Sequence, residues 1–488
     1  MLPQELCALA DQIKGRKCEF QNVEVKAAQM GNPKTLYDTF SSFSNQTNGG
    51  VIVFGIDEKS GYKTVGVYDA QDLQVQVKNA AEQMEPIVRP FFTVAEYEGK
   101  TIVSAEIAEC APEEKPCFYK PAGRIRGSYV RVGEADVPMT EYEVYSYEVY
   151  KKKIRDELRT VDRATLEDIN RDLLTSYFAK LRLEKQQLAK QDDRKIMQLQ
   201  GIISGDVPTV CGMMLLGDYP QAFFPQMSVT AMVVNGTEIG ETGDAGERFV
   251  DSKRLEGTIP QMLEETLSFV HRNMKNAVVV DENGKRADIP EYPMIAVREI
   301  ILNALVHRDY SIHTEDSPIR VILFSDRLEV ENPGGLYGRL TIADLGKEPG
   351  DTRNPFIAGN LEVMINTENR FSGVPTIYEE MRKAGLKPPV FESKRGRFRV
   401  TLYNERIVNG EKEVREDTEE TDPKTVKDKI IKFCREPRTK AEISEMLGIE
   451  TPYYVMTKYI SPMIEDGILS MTIPEKPRSK NQKYFTTE

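Results

Sequence analysis

An acidic segment near the carboxyl end divides this chain into parts that must fold around separate cores. Residues 405–422 hold eight acidic residues against three basic ones, which is typical of a solvated linker. The chain has 488 residues, and since one core rarely grows beyond about 250–300 residues, the part before the linker must itself be subdivided. We predict an α+β multidomain protein with a front domain, a helical connector, an intermediate α/β region, an α/β sandwich, the acidic linker and a small C-terminal domain, at 1–150, 151–205, 206–289, 290–404, 405–424 and 425–488.

The composition excludes several classes of protein. The net charge of −12 argues against a protein that coats nucleic acid over its whole surface, so such binding needs local basic patches. The six cysteines include no CxxC pair, which indicates neither a zinc ribbon nor a disulfide framework and suits the cytoplasm. Apolar runs such as VIVFGI at 51–56 are far shorter than the roughly 20 residues that span a bilayer. The first twenty residues do not resemble a secretory signal.

The front domain alternates helix and strand patterns. TLYDTFSSFSNQ predicts a helix, and the NGG at 48–50 predicts a turn, because glycine can take a positive φ there. VIVFGI, TIVSAEI at 101–107 and SYVRVG at 128–133 predict strands. These patterns indicate a small α/β unit.

The middle of the chain gives a second set of patterns. TVCGMMLLG at 209–217 and SVTAMVV at 228–234 predict buried strands, and TIPQMLEETLSFVHRNM at 258–274 has the apolar spacing of a helix. Between 290 and 404 a helix followed by antiparallel strands predicts an α/β sandwich.

One helix in that sandwich carries a polar row. In REIILNALVHRDYS, Glu299, Asn303 and His307 recur every fourth residue and border the apolar face. A carboxylate and an amide so placed can act as a base and as a magnesium ligand, since Mg²⁺ prefers oxygen. The alternative is a solvated flank of an amphipathic helix, with His307 as an ordinary helix-end residue.

Glycines occur where a phosphate-bearing ligand would need them. NPGGLYG follows the strand RLEVEN, and glycine there lets the backbone approach a ligand closely. In RFSGVPTIYEEM, Gly373 stands just before a helix, where free N–H groups favour phosphate.

The order ExxxNAxxHRDY, NPGGL, RNP at 353–355 and a glycine ahead of a helix resembles the divergent ATP-binding domain of the GHKL superfamily. Its close relatives are bacterial proteins labelled transcriptional regulators or RecG-like. The resemblance implies ATP and Mg²⁺ as ligands, with Glu299 as general base and Asn303 as magnesium ligand. It also assigns nucleotide contacts to Asn332, Gly334, Gly335, Arg353, Asn354 and Gly373.

Two departures from the family pattern predict binding with weak or absent hydrolysis. Asn332 replaces the aspartate that reads adenine, and an amide can still pair with that base. Pro375 follows Gly373 where the family has a second glycine, and proline removes an N–H that would face phosphate. The chain has no GxxxxGK[ST] loop, so it is not predicted to be a helicase, and HRD at 307–309 lacks the other kinase motifs.

Acidic residues with a lysine occur in the front domain. Glu19, Glu24 and Asp57, with Lys26 nearby, could hold a metal for phosphodiester chemistry, or they are surface charge. A basic set with interleaved aromatic residues suits nucleic acid, including single strands, although a basic strand face is also ordinary surface. That set includes Lys120, Arg124, Arg126 and Arg131, and Lys26 is a further candidate contact with nucleic acid.

Residues 19–135 resemble the Schlafen/AlbA-type DNA-binding domain, through ExxxxExK, SNQTNGGVIVFGID, EPIVRPFF and YVRVGEAD. In some Schlafen relatives the matching acidic residues cut RNA, whereas most bacterial members bind nucleic acid.

The last 65 residues resemble a winged helix-turn-helix, with a third helix for the major groove and a two-stranded wing. The candidate contacts are Tyr454 and Lys458 on the helix and Lys476, Arg478 and Lys480 on the wing. Such a module can equally mediate dimerisation.

Three hypotheses follow. The first is a cytoplasmic bacterial regulator, expected to be a homo-oligomer, that binds DNA, with RNA as an alternative, and uses ATP with Mg²⁺ as a conformational signal. The second is a metal-dependent nuclease acting on RNA. The third is an assembly scaffold without catalysis.

Overall fold

The computed structural model describes residues 1–406, except 34, 242–245, 281–285, 366–372 and 395, and short separate stretches between 430 and 486. The chain forms two compact units, Met1–Arg406 and Ile407–Glu488. Among the helices described, none combines the length and the apolar character needed to cross a membrane.

The front of the first unit is built on a four-stranded sheet. Its helices are α1 (Pro3–Arg16), α2 (Tyr37–Asn45), α3 (Ala70–Ala81), α4 (Gly123–Gly127) and α5 (Glu141–Lys152). Its strands are β1 (Val23–Lys26), β2 (Gly50–Phe54), β3 (Ile56–Asp57), β4 (Lys63–Thr64), β5 (Met84–Glu85), β6 (Phe91–Tyr97), β7 (Lys100–Ile107), β8 (Phe118–Tyr119), β9 (Tyr129–Val132) and β10 (Ala135–Pro138).

The sheet has the order β1-β2-β7-β6, with β1 parallel to β2 and the other pairs antiparallel. Separate apolar clusters lie on its two sides, one containing Phe40 and Phe43 of α2 and the other containing Leu6 and Ile13 of α1. The NGG turn is confirmed: Gly49 has a φ of +66°, and a Cβ there would lie 2.1 Å from the Ile107 carbonyl oxygen. Only glycine fits that approach.

The rest of the first unit surrounds a larger sheet. Its helices are α6 (Arg171–Glu184), α7 (Asp193–Leu199), α8 (Val210–Leu216), α9 (Ile259–Asn273), α10 (Met294–His307), α11 (Pro355–Ile365) and α12 (Gly373–Lys383). Its strands are β11 (Ile203–Ser204), β12 (Val207–Pro208), β13 (Val229–Val233), β14 (Asp251–Leu255), β15 (Asn276–Val280), β16 (Arg286–Pro290), β17 (Ile319–Leu323), β18 (Arg327–Pro333), β19 (Val390–Lys394) and β20 (Arg397–Tyr403).

The larger sheet has six strands in the order β14-β13-β17-β18-β20-β19. Alternate residues of the strands, such as Val321, Val330 and Val400, pack with α9, α10 and α12 in one apolar cluster. This helix-on-sheet arrangement confirms the predicted α/β sandwich. The cluster runs from Val161 to Leu402, so the connector and the intermediate region contribute to the same core.

The prediction of a strand over TVCGMMLLG is wrong, because Val210–Leu216 form helix α8. Thr209 caps this helix, its hydroxyl accepting a hydrogen bond from the Gly212 N–H at 3.0 Å. All seven residues of the helix are buried. An apolar run that is buried on every side has no period that separates strand from helix. The strand predicted over SVTAMVV is confirmed as β13.

In the second unit the described residues include an antiparallel pair, β21 (Leu469–Met471) and β22 (Tyr484–Thr486), in agreement with a two-stranded hairpin. Ile430, Cys434, Ile443 and Ile460 are buried in one cluster with Leu469 of β21. The predicted contacts Tyr454, Lys458, Lys476, Arg478 and Lys480 lie outside the described residues.

Candidate nucleotide pocket and nucleic-acid surfaces

Helix α10 forms one wall of the candidate nucleotide pocket. Its apolar residues, including Val297, Ile301 and Leu305, are buried against the sheet and the neighbouring helices. The helix ends at His307, where the Asn354 amide donates hydrogen bonds to the carbonyl oxygens of Val306 at 2.8 Å and Arg308 at 2.7 Å. Asn354, predicted to touch nucleotide, therefore satisfies carbonyls at the helix end.

The polar row on α10 meets the start of α12. A Cβ built on Gly373 would lie 3.2 Å from Glu299 Oε2 and 3.3 Å from Asn303 Nδ2, so the three residues are neighbours. Burial raises the pKa of the Glu299 carboxyl, and Arg298 partly opposes the shift. Side-chain exposure at Glu299 is 23%, and the Arg298 guanidinium lies 3.7 Å from its carboxylate. Asn303 and His307 of this row line a pocket, so this part of the row is not a solvated flank.

A cavity of about 350 Å³ opens between α10, the end of β18 and the start of α12. Its apolar lining includes Ile300, Val330, Ile377 and Phe398, and its polar lining includes Asn303. A mostly apolar cavity of this size with a few converging polar groups is typical of a small-ligand site. Of the predicted residues, Asn303, Asn332, Gly334, Gly335 and Gly373 line it, whereas Glu299, Arg353 and Asn354 are not among the lining residues.

Asn332 lies near the end of β18 and is only 4% exposed. Among the described residues its Oδ1 atom finds no hydrogen-bond partner. Burying a polar atom without a partner is costly, so such an atom requires an explanation. Since the side chain lines the cavity, a ligand that presents both a donor and an acceptor could pair with its amide.

The loop after β18 depends on Gly334. Its φ is +104°, and a Cβ there would lie 2.8 Å from the Cβ of Asp309. The Gly334 N–H donates to the Gly396 carbonyl at 2.8 Å, and the Gly335 carbonyl accepts from the Arg353 guanidinium at 3.0 Å. Arg353 thus fixes the position of the loop and is not exposed to the cavity.

The HRD triplet holds this wall together, although its sequence suggested no role. Arg308 is buried and donates to the carbonyls of Asp309 at 2.6 Å, Thr314 at 2.9 Å and Ser317 at 2.6 Å. Asp309 accepts from the Tyr142 hydroxyl at 2.8 Å and pairs with Arg353 at 3.0 Å. Burial alone would raise the pKa of Asp309, but the Arg353 charge and these hydrogen bonds lower it.

His307 lines the cavity, where part of its surface stays accessible and its ring is packed among protein atoms. The resulting desolvation of the ring, and to a smaller extent the positive charge of Arg353, lower the pKa of its imidazole. The ring is therefore neutral at neutral pH and adds no positive charge to the pocket. Among the described residues that line the cavity there is neither lysine nor arginine, whereas Glu348 and Asp351 are present.

In the front domain, two of the predicted metal ligands are paired with a cation. Arg131, whose side chain is 1% exposed, lies 3.2 Å from Glu19, 2.8 Å from Glu24 and 3.0 Å from Asp136. Burial and the neighbouring Glu24 charge raise the pKa of Glu19 to about 7. Asp57 instead caps a short turn, accepting from the Lys59 N–H at 3.2 Å.

No group of three or more His, Cys, Asp or Glu side chains within the described part of the chain is arranged to hold a metal ion. The predicted second metal site at Glu19, Glu24 and Asp57 is therefore not assembled in this arrangement. Arg131 cannot contact phosphate either, because it is buried under the three carboxylates. A basic residue on a strand has two possible faces, and the sequence did not show which one Arg131 occupies.

The other predicted basic residues lie nearer the surface. Lys26 pairs with Glu24, Lys120 with Glu85 at 3.1 Å, and Arg124 with Glu148. Arg126 is exposed. Beside them Tyr37 and Tyr119 stack with ring centroids 4.5 Å apart, which gives an aromatic neighbour to the basic patch.

Three family models match three separate segments of the chain. Residues 19–140 match the family model described as Schlafen, AlbA_2. Residues 316–402 match the model described as "Putative ATP-dependent DNA helicase recG C-terminal". Residues 426–487 match the model described as the C-terminal domain of the Fic-like protein, filamentation induced by cAMP. The second match begins after α10, so Glu299 and Asn303 lie outside it.

Two solved structures are similar to this chain, one over almost its whole length and one over about a quarter of it. The crystal structure of the DIP2311 protein from Corynebacterium diphtheriae is 18% identical, with 99% of this chain and 97% of that chain covered and a TM-score of 0.40. The solution structure of the N-terminal domain of a RecG-related protein from Nitrosomonas europaea is 27% identical, with 27% and 90% covered and a TM-score of 0.23. No curated protein matches the chain. The chain thus carries a Schlafen/AlbA-type domain and a RecG-type ATPase-like domain.

Proposed function

We propose that this protein is a transcriptional regulator that binds DNA and whose ATPase-like domain binds ATP with Mg²⁺ as a conformational signal. The observation that carries the nucleotide part is the cavity where Asn303, Asn332 and Gly373 converge. The nucleic-acid part is supported by the Schlafen/AlbA match over 19–140 and by the exposed cations beside the Tyr37–Tyr119 stack.

The chemistry of the cavity fits adenine at one end. Adenine presents an amino donor beside a ring-nitrogen acceptor, and an asparagine amide can pair with both. Asn332 offers such an amide with an unpaired oxygen, and Phe398, its cross-strand neighbour, supplies apolar surface. Which end of the amide faces the cavity can change by rotating the side chain.

The other end of the cavity fits phosphate and a hard cation. Gly373 begins α12, whose first N–H groups and helix dipole favour an anion. Asn303 stands beside it and offers the oxygen ligand that Mg²⁺ prefers. Bound Mg²⁺ would offset phosphate charge in a lining that, among the described residues, contains the carboxylates of Glu348 and Asp351 but neither lysine nor arginine.

Weak or absent hydrolysis is part of the proposal. Pro375 lacks an N–H in the first turn of α12, which leaves one fewer donor for the terminal phosphate. Glu299 could accept a proton from water, but it does not line the cavity, and the Arg298 guanidinium lies 3.7 Å from its carboxylate.

Calorimetric titration with a non-hydrolysable ATP analogue and Mg²⁺ tests the nucleotide proposal. We expect binding by the parent protein and roughly tenfold weaker binding by Asn303→Ala and by Asn332→Leu, since each loses about one hydrogen bond or ligand contact. Asn235→Ala is the matched control, because Asn235 is exposed and bonds to Glu247 outside the cavity. No heat of binding in the parent protein would refute the nucleotide proposal.

Fluorescence anisotropy with a labelled 30-base-pair duplex at low salt tests the DNA proposal. We expect binding that weakens steeply with added salt. Deletion of 425–488 should lower the affinity at a fixed salt concentration, and an unchanged affinity would contradict the proposal. Absence of binding at low salt would refute the proposal.

A further inference from the structure

Helix α5 lies between the segment that matches the Schlafen/AlbA-type model and the remainder of the unit. It begins at Thr140 with a capping box in which Glu143 is the partner. At about 100° per residue, Tyr142, Tyr145 and Val149 share one face of this helix. Val144, Tyr147 and Glu148 share the opposite face.

The first face of α5 supports the glycine loop of the pocket. Tyr142 donates to Asp309 at 2.8 Å. A Cβ on Gly396 would lie 2.3 Å from the Tyr142 ring, so the ring presses directly on that residue. The Gly396 carbonyl in turn accepts the Gly334 N–H. A shift of Tyr142 therefore moves two of the supports of Gly334.

The carboxyl end of α5 contacts two other residues of the pocket lining. Tyr150 donates to Asp351 at 3.1 Å, and its ring meets Tyr337 edge-on with centroids 5.4 Å apart. Both Asp351 and Tyr337 line the cavity. The Tyr337 hydroxyl is buried without a partner among the described residues.

The second face of α5 belongs to the front domain. Glu148 pairs with Arg124, one of the basic residues of the candidate nucleic-acid surface. Tyr147 lines a polar cavity together with Asn45, Lys115 and Arg131 of the front domain. One rigid helix thus contacts the nucleotide pocket and the nucleic-acid surface through different faces.

We infer that α5 couples the two binding sites, with Tyr142 and Tyr150 as positioning residues that pass changes in the pocket loops to Arg124. This inference rests on the proposed function. Because coupling between sites is reciprocal, nucleotide must change the affinity for nucleic acid by the factor by which nucleic acid changes the affinity for nucleotide. Removing the two tyrosine hydroxyls should change this coupling factor more than it changes the affinity for either ligand alone.

The test uses the full chain and the double variant Tyr142→Phe, Tyr150→Phe. The affinity for an ATP analogue with Mg²⁺ is measured with and without a saturating 30-base-pair duplex. In the parent protein we expect the two affinities to differ by about fivefold or more. In the double variant we expect this ratio to fall to about one, with nucleotide still bound.

The matched control is Tyr68→Phe. Tyr68 donates to Asp72 at 2.6 Å within the front domain, so the control removes a tyrosine–aspartate hydrogen bond remote from α5. Its coupling ratio should equal that of the parent. If the double variant melts at a much lower temperature, Tyr150→Phe alone is used, since Asp351 keeps its bonds to Arg339.

Hydrogen exchange supplies a second readout. Nucleotide should protect amides of 141–152 and 123–127 in the parent and not in the double variant. A parent ratio of one, or a double variant that keeps the parent ratio and protection, overturns the inference and leaves nucleotide binding standing. Failure of the parent to bind nucleotide refutes the proposed function and the inference together.

Discussion

Removing the Asp309 carboxylate should destabilise the first unit far more than removing an exposed carboxylate. Asp309 accepts hydrogen bonds from the Ser311 N–H at 2.9 Å and the Tyr142 hydroxyl at 2.8 Å, and it neutralises Arg353, whose side chain is 6% exposed. In Asp309→Ala the guanidinium stays buried without its counter-charge, which costs about 3–5 kcal/mol.

The control for this prediction is Asp206→Ala. Asp206 pairs with Arg194 at 2.6 Å, and both side chains are more than half exposed, at 67% and 62%. An exposed pair of this kind contributes about 0–1 kcal/mol. Equilibrium urea unfolding, followed by circular dichroism, compares the two variants through the midpoint and slope of the transition of the first unit.

Replacing both members of the Asp309–Arg353 pair gives a second test. Replacing Asp309 and Arg353 together by leucine removes the uncompensated charge, so this variant should be more stable than Asp309→Ala. If Asp309→Ala costs no more than Asp206→Ala, the pair does not stabilise the pocket wall as described. If the double replacement costs more than the single one, the penalty does not come from the buried charge.

Three other predictions concern the pocket, the interior and the surface. Gly334→Ala should abolish most nucleotide binding, because its Cβ would meet Asp309, whereas Gly385→Ala, also at positive φ but with nothing within 4 Å, should retain it in the same titration. Burial raises the pKa of the Glu157 carboxyl from 4.5 to about 7. Between these pH values the native state therefore binds more protons than the unfolded state. The stabilisation that protonated Glu157 contributes is fully present below pH 4.5 and is lost as the pH rises towards 7. Unfolding free energies measured across that range should show this slope, and Glu157→Gln should reduce it. Arg126→Ala should weaken binding of the 30-base-pair duplex and reduce the dependence of affinity on salt by about one phosphate contact, as measured by anisotropy at several salt concentrations.

The sequence predicted those features that depend on local spacing. The every-fourth-residue row placed Glu299 and Asn303 on one side of a helix, and Gly373 does lie against both. Asn332 is at the end of its strand and faces the cavity as the motif order implied. Each of these expectations follows from the periodicity of a helix or a strand, together with a glycine that lets two segments approach closely.

The features that the sequence did not predict depend on which distant residues meet. Arg131 was assigned to a surface, but three carboxylates from separate segments enclose it. Arg353 and Asn354 were assigned to nucleotide, but they bond the loop at Gly335 and the end of α10. Charge and residue type alone do not distinguish a binding group from one that satisfies backbone carbonyls, because both need the same donors.

The carboxylate of Glu157 limits where a recombinant fragment of this protein can begin. It accepts the N–H groups of Phe356 at 3.1 Å and Ile357 at 2.8 Å, so a residue upstream of α6 closes the first turn of α11. A recombinant fragment that starts at 160 or at 290 would lack Glu157 and leave those two N–H donors without their partner. The fragment that starts at 290 would also lose a large part of the apolar cluster that begins at Val161. Fragments of the ATPase-like half should therefore begin at or before Thr140, so that they keep both Glu157 and helix α5, whose Tyr142 bonds to Asp309.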